Sequence, residues 1–359
     1  MNNNYVVIMA GGIGSRFWPK SRTNYPKQFL DILNTGRTLI QSTFLRYNKI
    51  VPAENIFVVT SEEYEEIVAH QLPELPPENI VTEPFRKNTA PCIAYVAFKI
   101  FKKDPEAVMI AAPSDNLILE EDAFGETIGN ALQFVASVNA LVTLGIKPRN
   151  PNTGYGYIQR DDVEAAPGIY KVKTFTEKPN LELAKVFVKS GDFLWNAGIF
   201  IWKVKNILTA FEKFLPEIHE VFAAETEKFN TPLEKKVIEE IYAQCPSISI
   251  DFGIMEKAPN VYVIPASFTW SDLGTWNSAY ENMGKDYFEN AVVGEEVMVY
   301  DTHNCVVHVP DKKLVLLQGL ENFIIVDTED VLLICKKDKE QEIKDYVADV
   351  KRNKDEKYL

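Results

Sequence analysis

The run Tyr5-Val6-Val7-Ile8-Met9-Ala10 leads straight into Gly11-Gly12-Ile13-Gly14-Ser15-Arg16-Phe17-Trp18-Pro19, with Pro26-Lys27-Gln28 shortly after. A short apolar run ending at a glycine cluster predicts a buried strand followed by a loop with a freely turning backbone. Backbone N–H groups in such a loop can wrap a phosphate chain. Arg16 adds a planar fork for phosphate oxygens and Lys27 a compact point charge. Two common phosphate loops fail at single residues: GxxxxGK[ST] needs a glycine where Arg16 stands, and GxGxxG, begun by Gly12 and Gly14, fails at Phe17. The loop therefore suits a departing pyrophosphate better than a dinucleotide. A turn-rich loop with surface cations is the plainer alternative, but strand, glycines, arginine and lysine come in the order a phosphate site needs.

Beyond this stretch, strand and helix alternate. Strands are expected at Asn55–Thr60, Asn79–Glu83, Ala107–Ala112 and Ala140–Gly145, and helices at Thr38–Ile50, Asn88–Lys103 and Glu121–Val138. Ser61 is expected to cap a helix that opens with Glu62 and Glu63. Apolar strands alternating with helices predict an α/β fold, a Rossmann-like, mostly parallel sheet with ligands beyond the carboxyl ends of its strands. After about residue 150, Gly154-Tyr155-Gly156-Tyr157 and Val172–Glu177 suggest strands, and Asn180–Ser190 and Lys205–Ala243 suggest helices. A break near Asp286–Asn290 precedes the short segments VMVYD, CVVHV, LVLLQ, FIIVD and VLLIC. They predict a small all-β module, β-helix-like but without a clean hexapeptide repeat. Charged Lys337–Leu359 reads as a helix with a frayed end. The domain expectation is thus residues 1–286 for a catalytic domain and 287–359 for the β module plus terminal helix.

Composition excludes several functions. The formal net charge is −13, which argues against a nucleic-acid surface but not against a local phosphate site. With 46% hydrophobic residues a full core can form, yet no apolar run approaches the length of a membrane span. The first residues lack the features of a signal peptide, so a cytoplasmic protein is expected. Four scattered cysteines form no CxxC pair and read as reduced thiols. His303, Cys305 and His308 lie among alternating apolar residues and read as strand residues rather than a zinc site.

Further motifs follow in order: Glu83-Pro84 with Asn88-Thr89-Ala90-Pro91; Pro113-Ser114-Asp115; Gly154-Tyr155-Gly156-Tyr157-Ile158; Glu177-Lys178-Pro179 with Trp195-Asn196-Ala197-Gly198; and Ser249-Ile250-Asp251 with Trp270-Ser271-Asp272-Leu273-Gly274. Asp115 follows a buried strand, where either a phosphate-site metal ligand or a simple turn residue fits. Asn196 sits in the apolar segment Phe193–Trp202, so its amide needs a partner, a sugar hydroxyl or a group of the core. Asn88 either meets a nucleoside or caps the helix after it.

Together with the glycine loop, these motifs resemble those of the sugar-nucleotide pyrophosphorylases, and more narrowly the mannose-1-phosphate guanylyltransferases. The resemblance implies a nucleotidyltransferase type A-like fold and transfer of GMP from GTP to mannose 1-phosphate. It implies Arg16 and Lys27 as catalytic cations, and Gly11, Gly12, Gly14, Ser15, Glu83, Asn88, Thr89 and Ser114 around the nucleotide. Gly154, Glu177, Lys178, Asn196, Gly198 and Asp251 would bind the sugar phosphate, and Asp115 and Asp272 would hold Mg2+. The attacking phosphate is already anionic, so no general base is required. Longer bacterial members append an isomerase domain, whereas transferase activity alone is expected here. A homodimer is expected, because many short strands need covered edges. The same chemistry on another sugar 1-phosphate or nucleotide is the nearest alternative. A catalytically silent nucleotide-sugar sensor would tolerate losing the phosphate and metal ligands, and all of them are present. A dehydrogenase is disfavoured by Phe17.

Overall fold

The computed structural model describes residues 3–359. Strands β1 (Asn4–Met9), β2 (Ile56–Ser61), β3 (Ile80–Glu83), β4 (Val108–Pro113), β5 (Leu141–Ile146), β6 (Tyr157–Ala166), β7 (Ile169–Thr176), β8 (Phe193–Lys203) and β9 (Val261–Pro265) form one sheet, in the order β3-β2-β1-β4-β8-β5-β9-β7-β6. The pairs β1/β2, β1/β4, β2/β3 and β5/β9 are parallel. Strand β8 runs antiparallel between β4 and β5. The sheet is mostly parallel, as expected, with β8 reversed at its centre and β7 reversed near one edge, between β9 and β6. Nothing in the apolar run Phe193–Trp202 signals its direction, because a strand buried on both faces reads alike either way.

Ten helices accompany the strands among the described residues: α1 (Leu39–Asn48), α2 (Glu65–Gln71), α3 (Thr89–Lys103), α4 (Glu121–Ser137), α5 (Leu181–Ser190), α6 (Val204–Phe214), α7 (Pro216–Ala224), α8 (Glu234–Gln244), α9 (Trp276–Asn282) and α10 (Ile343–Asn353). The single helical stretch expected over Lys205–Ala243 is broken into α6, α7 and α8. Pro216 lacks the N–H needed to continue α6 and instead opens α7 in its first turn. Ser61 makes no side-chain cap bond, and a 3-10 turn over Glu62–Tyr64 precedes α2. None of the described helices is long and apolar enough to cross a membrane.

The chain divides into two compact units that do not follow a single cut in the sequence. Unit 1 comprises residues 1–11, 44–114 and 118–270; unit 2 comprises residues 12–43, 115–117 and 271–359. In unit 1, helix α3 is almost wholly buried and packs with α6, α7 and α8 in one large core together with residues of the sheet.

Unit 2 contains six further strands, β10 (Ala291–Val293), β11 (Val297–Tyr300), β12 (Val306–His308), β13 (Val315–Gln318), β14 (Phe323–Asp327) and β15 (Leu332–Lys336). Strands β10, β12 and β14 are joined in parallel, as are β11 and β13, the pattern of a short β-helix-like coil closed by antiparallel β15. The two-residue period of a strand sorts its side chains. Val307 enters a small core with Cys305, Val309, Leu317 and Ile325, while Val306 joins a second core with Phe17, Trp18, Trp276 and Ile343. His308 is buried there, and desolvation pushes its imidazole down to about 3, so it stays neutral. All four cysteines are buried free thiols.

Candidate functional site

Within unit 2, the loop opened by the glycines folds into a 3-10 turn over Ser15–Phe17, and a second turn spans Lys27–Phe29. Gly14 has φ +66°, and a Cβ there would lie 2.5 Å from Lys27 Cγ, so conformation and packing both require glycine. Ser21 Oγ donates to Gly14 O at 2.8 Å, and Gln28 Nε2 donates to Gly12 O at 2.9 Å. These bonds hold the loop open-backed beneath Lys27. The Lys27 ammonium is 3.0 Å from Asp115 Oδ2 and donates to the carbonyls of Asp272 and Leu273, at 2.9 Å each. Lys27 is only 8% exposed, so its charge is fixed in place by three oxygens. Asp272 folds back, its Oδ1 accepting from Gly274 N at 3.2 Å, and a Cβ on Gly274 would strike that carboxylate. Leu273 sits between them at φ +42°, a strained position that the surrounding contacts impose. The Nε of Arg16 is buried without a hydrogen-bond partner.

A second cluster lies within unit 1. Asn196 lies within β8 itself, in the apolar segment where the sequence places it. Its Nδ2 donates to Asp251 Oδ1 at 2.7 Å, and its Oδ1 accepts from Thr143 Oγ1 at 2.9 Å and from Gly198 N at 3.1 Å. The amide thus has core partners, one of which is a candidate site carboxylate. Gly198 has φ +70° and lies under Pro113. Gly156 faces Glu177 and Asn196, and a Cβ on it would stand 2.5 Å from Glu177 Oε2. Glu177 pairs with Lys178, whose backbone is left-handed at φ +45°. Glu177 N donates to Glu256 Oε1 at 3.1 Å. Asp251 opens a π-turn over Asp251–Met255, and burial, aided by the Glu177 charge, pushes its carboxyl up to about 7. Gly154 stands in the bend before β6, where its N–H donates to Asn152 Oδ1 at 2.7 Å.

The third cluster, also in unit 1, surrounds the end of β3. Glu83 is 8% exposed, and its Oε1 accepts from the Tyr242 hydroxyl at 2.9 Å. Its Oε2 lies 3.7 Å from the position of a Cβ on Gly11. Burial pushes the Glu83 carboxyl up to about 7, against the lowering effects of Tyr242 and Arg86. Asn88, at φ +68°, caps α3 through its Oδ1, which accepts from Thr89 N at 2.9 Å. Thr89 Oγ1 accepts from Ile250 N at 2.9 Å, and Ala90 N donates to Ile248 O at 3.1 Å. The segment after β3 is thereby strapped to the segment that carries Asp251. Ser114 N donates to Met9 O at 3.1 Å, which ties the end of β4 to β1.

The chain matches known proteins along almost all of its length. The nucleotidyl transferase family matches residues 5–287, and a MannoseP isomerase/GMP-like beta-helix domain matches residues 294–350. Mannose-1-phosphate guanylyltransferase of Escherichia coli K12 is 37% identical over 355 residues, covering 97% of this chain and 73% of its own. The enzyme of that name from Klebsiella pneumoniae is 36% identical over 357 residues, covering 98% and 75%. The crystal structure of a mannose-1-phosphate geranyltransferase, so named, from Thermus thermophilus superposes with a TM-score of 0.85 at 29% identity, over 98% of this chain and all of that one. The chain belongs to the mannose-1-phosphate guanylyltransferase family. The resemblance drawn from its motifs, the nucleotidyltransferase fold and the β-helix-like C-terminal region are therefore established together.

For a member of this guanylyltransferase family, the motifs account for only part of each cluster. Thr143, Tyr242 and Glu256 lie outside every motif, yet each bonds to a motif residue. Gln28, next to Lys27 in the sequence, pins Gly12. Tyr242 gave no signal at all, as one of several apolar and aromatic positions of a helix 159 residues away from Glu83.

Proposed function

We propose that the chain transfers GMP from GTP to α-D-mannose 1-phosphate, giving GDP-mannose and pyrophosphate. The observation that carries this reading is the clamp on Lys27: a buried ammonium fixed by Asp115 and two loop carbonyls beneath the glycine turn. Arg16 and Lys27 stabilise the leaving pyrophosphate, one by its planar fork and one as a held charge. Gly11, Gly12, Gly14 and Ser15 line the phosphates with backbone N–H groups, and Glu83, Asn88, Thr89 and Ser114 meet the nucleoside. Gly154 and Gly198 allow close backbone approach to the sugar phosphate, Glu177 and Asn196 accept and donate to sugar hydroxyls, and Lys178 meets its phosphate. Asp251 holds Asn196 in register.

The reaction is an in-line attack of the mannose 1-phosphate oxygen on the α-phosphorus of GTP. The new P–O bond forms as the bond to pyrophosphate breaks. The nucleophile is already an anion, so positioning and charge stabilisation supply the catalysis. Asp115 and Asp272 fit a hard divalent ion, since the Asp115 carboxylate and the Asp272 backbone carbonyl meet at the Lys27 ammonium, which brings the two residues to one spot. Among the described residues no three acidic, histidine or cysteine side chains group together as metal ligands. Mg2+ keeps water and phosphate oxygens as most of its ligands. When bound, Mg2+ supplies charge neutralisation on the phosphates.

We assign residues 1–286 to the catalytic function and 287–359 to the β module. The cytoplasm is the compartment that fits four free thiols. A second copy of the chain would cover the exposed Met298, Tyr300 and Leu316 on β11 and β13, making a homodimer. A monomer in light scattering at working concentration rejects the dimer. The activity is tested by pyrophosphate release with Mg2+ and mannose 1-phosphate against each common nucleoside triphosphate. Release specific to GTP is expected; release with none of them rejects the assignment.

A further inference from the structure

Glu83 has two carboxylate oxygens with different surroundings. Oε1 accepts a hydrogen bond from the Tyr242 hydroxyl at 2.9 Å, while Oε2 is turned toward Gly11, the first residue of the glycine loop. Tyr242 is fully buried on α8 and wedged among the rings of Tyr95 and Phe222, with centroids 6.3 Å and 6.1 Å away. Its hydroxyl is therefore aimed by packing rather than by the carboxylate. The groups facing Glu83 are Tyr242 from α8, Cys92 from α3 and the Arg86 guanidinium.

We propose that Tyr242 is a positioning residue for base selection: it fixes Oε1 of Glu83 and favours the ionised carboxylate, so that Oε2 accepts from the N–H edge of guanine. This rests on the guanylyl-transfer reading above. An ionised carboxylate can only accept hydrogen bonds, whereas a protonated one also donates. Guanine offers adjacent N1–H and N2–H donors and so matches the ionised form. Adenine offers an N1 acceptor beside an N6–H donor and matches only the protonated form. The charge state of Glu83 thereby becomes the selector. A hydroxyl donated to the carboxylate favours the ionised state against the burial that opposes it. No motif of the chain contains Tyr242, and its role acts wholly through Glu83.

The test compares kcat/KM for GTP, ITP and ATP between pH 6 and pH 9 in the intact protein and in Tyr242→Phe. The variant is expected to lose about tenfold of the preference for GTP over ATP near pH 7, carried by the KM for the triphosphate. Its KM for mannose 1-phosphate should not change. The preference should return toward pH 9, where Glu83 ionises without help. A variant with unaltered base preference and an unaltered pH profile overturns the proposal. If Tyr242→Phe does not fold, Glu83→Gln with Tyr242 intact should lose the preference at every pH, and its retention overturns the proposal equally. The unsubstituted protein serves as the separate control: use of another triphosphate in place of GTP overturns the guanine reading itself.

Discussion

At Gly14 two constraints meet, a left-handed φ of +66° and the stem of Lys27 packed against its Cα. Gly14→Ala adds backbone strain of about 1–2 kcal/mol and must also displace the lysine. Such a variant should fold with a lower melting temperature and lose at least tenfold in turnover; full activity would show that Lys27 is not held for catalysis. Asp251 behaves differently, because its carboxyl is raised in the folded protein from an ordinary 3.8 to about 7. The folded state then binds the proton more tightly than the unfolded chain. The stability this provides is complete below the unfolded value and is lost as pH rises from about 4 to about 7. Asp251→Asn keeps an acceptor for Asn196 and cannot ionise. Its melting temperature relative to the parent should therefore be higher at pH 8 than at pH 4.5, as scanning calorimetry at both values would detect. An equal difference at both would contradict the raised carboxyl. The substitution should also weaken use of mannose 1-phosphate if Asn196 is shifted.

Among the elements, α3 starts at a residue with two readings. Asn88 caps the helix and does so at φ +68°, so alanine would lose the cap and keep the strain. Asn88→Ala should cost about 1–2 kcal/mol in urea unfolding, and Asn88→Gly only a few tenths, since glycine relieves the strain. Equal losses would mean the left-handed backbone at this position carries no strain. The alternation that places β1 to β4 was legible, because short apolar runs bounded by Gly11, Ser61 and Pro113 admit few other readings. The reversal of β8 was not legible, for direction leaves no trace in burial. The breaks could have been read from Pro216 before α7 and from Asn230-Thr231-Pro232 before α8. The candidate site divides the same way. Local features such as the glycines and Lys27 were visible as types in a sequence order, while the bonds Thr89–Ile250 and Glu83–Tyr242 join distant segments and appear only once the chain has folded.

For the molecule as a whole, unit 2 is built from segments far apart in the chain. Trp18 Nε1 donates to Tyr358 O at 2.7 Å, and Arg22 pairs with Asp330 at 2.7 Å and reaches Lys357 O at 3.4 Å. Ile343 at the start of α10 is fully buried in the core that contains Phe17 and Trp18. The loop bearing Arg16 therefore rests on the last residues of the chain. Deleting 343–359 should uncover that core and reduce turnover by a hundredfold or more. Binding of mannose 1-phosphate, measured by calorimetry, should survive, because its candidate residues lie in unit 1. A truncated protein with ordinary turnover would show that the loop supports itself.

The bond from Trp18 to Tyr358 also bears on how the chain is made. Residues 12–43 leave the ribosome early, yet Tyr358, which braces Trp18, is synthesised 340 residues later. Contacts of such long sequence separation form late and slowly. The glycine loop should thus remain unsettled until residues 343–358 have emerged, and catalytic competence should arrive only with them. Ribosome-bound chains halted before residue 343 should already protect the β1–β4 strands from protease while leaving the loop open to cleavage.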